Sequence, residues 1–185
     1  MTEISCRCGG LTGTLADPER VNRGVCYCDD CQAFARHLGW PLDEHGGTEV
    51  LQTSPARVRF THGIENLACL RLTPRGLLRW YARCCDTPIG NTPPDFRLSF
   101  VGLVNACVPV PAGTDPDALF GPIRMRVHTK YALGTPPRSR GLAGMIARFV
   151  TSLVIARVTG RYRDTPFFRP DGSPVVEPMV LSQRA

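Results

Sequence analysis

GVCYCDDCQAF, residues 24–34, sets Cys26, Cys28 and Cys31 within a six-residue span. Thiols this crowded belong to a disulfide framework, a buried apolar cluster or a metal site. The rest of the chain decides between them. It holds nine cysteines, an odd number, in 185 residues, and 43% of the residues are hydrophobic. A core of that size needs no covalent staples. The N-terminal MTEISCRCGG has neither a basic n-region nor an apolar h-region, so no signal peptide is expected. A cytoplasmic, reducing location is the expectation, and disulfides are rare there.

The apolar-cluster reading fails on spacing. Besides the triad, the chain has Cys6-x-Cys8 and the neighbours Cys84-Cys85, while Cys69 and Cys107 stand alone in apolar runs. Residues i and i+2 of a strand share a face, so a Cys-x-Cys step offers two sulfurs on one side. Cys-x-x-Cys does the same across a tight turn. Paired spacings of this kind suit zinc, which favours thiolates, has no redox chemistry and accepts tetrahedral sulfur sets. Lone Cys69 and Cys107 read as packing residues. Counting ligands gives Cys6, Cys8, Cys84 and Cys85 as a closed structural set. Cys26, Cys28 and Cys31 are then a three-ligand set with one position open to an exogenous thiolate or water. Cys84 could instead close the triad as its fourth ligand, because neighbours on a strand point apart; counting favours the first partition. A redox role for Cys84-Cys85 ranks last, because a vicinal disulfide is strained.

Outward from the triad, the chain reads as mainly β. The 18 glycines and 17 prolines are scattered, which suits many short strands. EISCRCGGLTGTL reads as a hairpin, RVNRGVCYC as a strand entering the cysteine turn, and CQAFARHLGW as a short helix. Further strands are expected in EVLQTS, ARVRFTHG, LACLRLT, GLLRWYARC and LSFVGLVNACVPVPAG. Residues 1–110 form the expected zinc-binding β domain. Residues 111–185 form a C-terminal extension of loops, a helix over about 141–159 and a short tail, packed on the same domain. The apolar positions Leu142, Met145, Ile146, Phe149, Val150 and Leu153 fall on one helical face. That face is expected to dock on the domain; a homodimer contact or a membrane-surface helix is the less favoured alternative. No uninterrupted apolar run reaches the ~20 residues of a membrane span, so no membrane partner is expected.

The net charge is +6, and Lys130 is the only basic residue that is not arginine. Such a bias reads most simply as composition and gives no strong nucleic-acid signal. His37, six residues beyond Cys31, is a candidate late ligand or proton shuttle; His45, His62 and His128 fall in turn, strand-end and loop segments.

CRCGG at 6–10, CYCDDCQ at 26–32 and the cysteine pair before DTPIGN together resemble the glutathione-dependent formaldehyde-activating enzyme family, which takes in centromere protein V. The resemblance covers residues 4–105. It implies a β-tent fold of zinc-stabilised antiparallel sheets, here followed by a C-terminal helix. It also implies a structural zinc that includes Cys6 and Cys8, and a catalytic zinc on Cys26, Cys28 and Cys31 that engages the sulfur of glutathione. The activity implied is that of a carbon–sulfur lyase handling a glutathione–aldehyde adduct. The third family motif, F-C-x-x-C-G-T, is altered: Cys85 and Asp86 align with its second cysteine and glycine, and Ala82 replaces its first ligand. Arg36 or Arg83 is a candidate receiver for a glutathione carboxylate. The rival function is a non-catalytic zinc-stabilised β module that binds a protein or nucleic acid.

Overall fold

The computed structural model describes residues 1–139 and 141–181. The chain runs β1 (Thr2–Ser5), β2 (Thr12–Leu15), β3 (Asn22–Cys26), α1 (Asp29–His37), β4 (Thr48–Thr53), β5 (Val58–His62) and β6 (Leu67–Arg71). It continues through β7 (Leu78–Ala82), β8 (Thr87–Thr92), β9 (Val101–Val104), α2 (Pro116–Phe120), β10 (Met125–Val127), α3 (Leu142–Val158) and β11 (Met179–Val180). The protein is mainly β. A three-stranded sheet has the order β1-β2-β5, and an eight-stranded sheet has the order β10-β3-β4-β9-β8-β7-β6-β11. Pairing is antiparallel throughout except at the outer edges of the large sheet, where β10 runs parallel to β3 and β11 to β6. Both edge strands come from the segment beyond residue 110, whose long connections lay them beside strands formed much earlier in the chain.

Strand alternation separates two layers of packing. Ile4, Leu15 and Val58 of the small sheet, with Leu11 just before β2, meet Leu51, Cys69, Trp80 and Ile89 of the large one in the main core. Phe167 and Phe168 complete it: the Phe167 ring lies 5.1 Å from that of Trp80 and 5.8 Å from that of Phe60. The indole of Trp80 donates to Thr92 Oγ1 at 3.0 Å, so its one polar atom is satisfied. On the opposite face of the large sheet, Ala33 and Phe34 of α1 and Leu38 at its C-terminal cap pack with Leu70 and Leu72. Helix α1 thereby holds the cysteine turn against that face.

Three elements differ from the expectation. All six residues of β8 are buried, yet TPIGNT carries the composition of a turn. Its glycine is required by close approach: a Cβ on Gly90 would lie 2.7 Å from the carbonyl oxygen of Gly102 on β9. The run expected as one strand over LSFVGLVNACVPVPAG is a strand only at Val101–Val104, and a 3₁₀ turn follows at Asn105–Cys107. Helix α3 forms, but Leu142, Ile146 and Val150 of its expected docking stripe stay exposed. It meets the body through buried Met145 and Ala156, and through Phe149, whose ring lies 5.4 Å from that of Phe100. No helix among the described residues is long and apolar enough to cross a membrane.

Candidate metal centres

The sequence places Cys26 at the end of β3, Cys28 at the N-cap of α1 and Cys31 in that helix's first turn. The Cys28 sulfur accepts from the Cys31 backbone N–H at 3.4 Å, so a cysteine performs the capping role usual for serine or aspartate. The Cys26 and Cys28 sulfurs lie 3.4 Å apart, and all three triad sulfurs fall within 4.8 Å of one another. Cys31 is buried, and Cys26 and Cys28 are partly open. The helix N-terminus directs backbone N–H groups and its positive end at this cluster, which favours thiolate.

The second cluster unites distant parts of the chain. Cys6 and Cys8 follow β1, and Cys84 and Cys85 occupy the turn between β7 and β8. Their sulfurs also lie within 4.8 Å of one another. The spacings are 3.6 Å for Cys6–Cys8, 3.7 Å for Cys6–Cys84, 3.4 Å for Cys8–Cys84 and 3.9 Å for Cys84–Cys85. A tetrahedron with metal–sulfur bonds near 2.3 Å has edges of about 3.8 Å, so four of the set's sulfur separations already approach those of a zinc–thiolate site. Cys84 therefore joins Cys6, Cys8 and Cys85 and leaves the triad with three sulfurs. Both neighbours reach one cluster because the chain turns through residues 83–86 and Asp86 takes a left-handed φ of 54°. Gly10 makes room for them: a Cβ there would lie 3.2 Å from Cys84 Sγ and 3.3 Å from Cys8 Sγ.

Charge is unevenly distributed in both clusters. Hydrogen bonds from Cys26 and then Cys31 bring Cys28 down to about 2 against the opposing effect of burial, and Arg79 adds to the lowering. The same bonds, with burial, push Cys26 up. In the four-cysteine cluster, burial opposes ionisation of Cys85, but hydrogen bonds from Thr87, Cys8 and Cys6 lower it to about 6. Burial and its cysteine neighbours raise Cys84.

Arg79 is the site residue that sequence reasoning missed. It lies on β7 beside Trp80, on the opposite face, and its side chain is only 2% exposed. The guanidinium reaches Cys31 Sγ at 3.9 Å, donates to Asn91 Oδ1 at 2.9 Å, faces Asp30 at 3.7 Å and stacks 5.5 Å over the Phe34 ring. The available signal was an arginine inside the apolar run LLRWYA. The arginines singled out by sequence lie elsewhere. Arg36, exposed at the end of α1, donates to Gln32 Oε1 at 2.6 Å, and Arg83 donates to the Leu67 carbonyl at 3.3 Å. Neither His37, exposed in the last turn of α1, nor His45, bonded to the Leu133 carbonyl, belongs to either sulfur cluster.

A family model described as a family of unknown function (DUF6151) matches residues 1–178. No curated protein matches the chain. A crystal structure of a Rhodobacter sphaeroides protein, a structural-genomics target, is similar with a TM-score of 0.44 at 20% identity. The match covers 65% of this chain and 96% of that one.

Proposed function

Because the chain belongs to the DUF6151 family, a family of unknown function, it inherits no activity by kinship, and we propose from its own residues that it is a zinc protein with one closed and one open site. Cys6, Cys8, Cys84 and Cys85 would hold a structural zinc. Cys26, Cys28 and Cys31 would hold a second that accepts an exogenous thiolate such as glutathione. The observation that supports this reading is the partition itself: four sulfurs in one cluster and three in the other. A zinc held by three protein ligands supplies a Lewis-acidic position that favours the thiolate form of an incoming thiol.

This chain's own residues would do the rest. The three sulfurs and the N-terminus of α1 define the approach, and Arg79 offsets the negative charge that three thiolates bring. The reaction class taken from the family resemblance is reversible carbon–sulfur chemistry. The thiol sulfur adds to an aldehyde carbon and the thiol proton passes to the aldehyde oxygen; the lyase direction breaks the same bond. The reading keeps the protein in a reducing, cytoplasmic setting. A non-catalytic zinc-stabilised module is favoured by one observation, the burial of Cys31 and Arg79, which narrows access to the triad.

Elemental analysis of tag-free protein purified without chelator or added thiol tests the partition. Two zincs per chain are expected, with one lost in Cys31→Ser and the other in Cys85→Ser. A folded protein without zinc would sink the reading. Isotopic labelling of the glutathione–formaldehyde adduct, followed by exchange NMR, then separates enzyme from module: faster exchange that disappears in Cys28→Ser supports the enzyme.

A further inference from the structure

Away from the sulfur clusters, α3 keeps an unusually bare apolar surface. Its seam with the body is narrow, formed by Met145, Phe149 and Ala156. Ile146, Val150, Val154, Ile155 and Val158 are each about half exposed or more, and Val158 reaches 81%. At helical spacing, Ala147, Val154 and Val158 lie opposite the seam, and Arg148 and Arg157 stand on its two flanks. A surface helix of a globular protein ordinarily shows the reverse, with charge outward and apolar residues in.

Charge supplies the second observation. Between Asp117 and Asp164 the sequence has nine lysines and arginines and no acidic residue. That stretch carries more positive charge than the whole chain's +6, so the remainder is net acidic. Beside α3 opens a cleft of about 760 Å³ whose lining includes Arg20, Arg57, Arg148 and Arg161, with Glu19 as its acidic member. Burial lowers Arg57, and its neighbours Arg20 and Arg161 lower it further, although Asp17 lies 3.6 Å away. Thr151, Ser152 and Asn22 add hydrogen-bonding groups to the same walls.

We propose that α3 lies on an anionic phospholipid surface, with its apolar outer face entering the boundary between headgroups and acyl chains and the arginines of the adjoining cleft taking lipid phosphates. An apolar face flanked by arginines is the pattern of an interfacial helix, because long cationic side chains reach back to the headgroup plane. Arginine forks match phosphate oxygens. No membrane partner was expected, because no apolar run is long enough to span a bilayer, but a helix lying in the interface needs no span. A second copy of the chain is the poorer occupant. A two-fold contact along α3 would bring the cations of one copy towards those of the other, with no acidic residue between 118 and 163 to pair with them.

Flotation of the zinc-loaded full chain with vesicles tests this. Binding is expected to vesicles of phosphatidylcholine mixed with phosphatidylglycerol, but not to phosphatidylcholine alone, and it should weaken as salt rises. Val150→Asp with Val154→Asp should abolish it, and Arg148→Glu with Arg161→Glu should weaken it roughly tenfold or more. All four positions are exposed at the surface, so circular dichroism and zinc content should be unchanged. Absence of binding to the anionic vesicles would overturn the proposal. So would binding that survives Val150→Asp with Val154→Asp, which would mean that basic charge alone was sensed. A concentration-dependent dimer that this pair dissociates, without any vesicle binding, would assign the face to a second copy.

Discussion

Arg79 lies on β7, an interior strand of the large sheet, with its charge directed at the triad, and Asn91, Asp30 and the Phe34 ring hold it there. A buried cation without compensation is costly, so its position beside three sulfurs ties the two together. Arg79→Gln should lower metal affinity at the triad by roughly 10- to 100-fold, in the way of other groups that orient ligands without binding the metal. Metal affinity at the four-cysteine cluster should be unchanged. Competition with a chromophoric chelator reads the two sites separately, and equal loss from both would show that Arg79 merely supports the fold. Asp86 makes the complementary point. Residue identities placed Cys84 and Cys85 side by side, but only the left-handed backbone at Asp86 ends the turn so that both sulfurs reach Cys6 and Cys8.

At the scale of elements, local signals worked where the pattern was local. The β1–β2 hairpin, the strand entering the cysteine turn and the helix after it all follow from alternation, glycine turns and a capped helix start. β8 escaped because its proline, glycine and asparagine carry turn chemistry, whereas its burial comes from β7 on one side and β9 on the other. Gly90→Ala tests that account. The added methyl meets backbone, which cannot swing aside, so unfolding in urea should show a loss of about 1–3 kcal/mol. Gly113→Ala, with nothing within 4 Å of its Cβ but a φ of +78°, should cost less, about 1 kcal/mol from backbone strain alone.

For the molecule as a whole, the segment beyond residue 110 is part of the core. Phe167 is fully buried against Trp80 and Phe60, so Phe167→Ala should cost about 3–5 kcal/mol, checked by chemical denaturation. The isolated cysteines predict a pH dependence. Burial pushes both Cys69 and Cys107 up to about 12 from an ordinary 9.0, so the fold prefers their neutral form. Their stabilising effect is complete below pH 9 and is lost as pH rises from 9 towards 12, by up to about 1.4 kcal/mol per thiol per pH unit. The urea midpoint should therefore fall across that window, and it should fall less steeply in Cys107→Ala.

The sequence by itself determined the sulfur spacings, the mainly β character and the helix at 142–158. Each of these depends on residues a few positions apart, whose geometry the backbone's own periodicity dictates. The tertiary structure decided what depends on distant contacts. Cys6 meets Cys84 across 78 positions, and Cys31 meets Arg79 across 48. Strand order put β8 in the interior, and the shape of the body left one face of α3 bare. No local pattern encodes which strand will become a neighbour, because that choice is made by the burial of the whole chain at once.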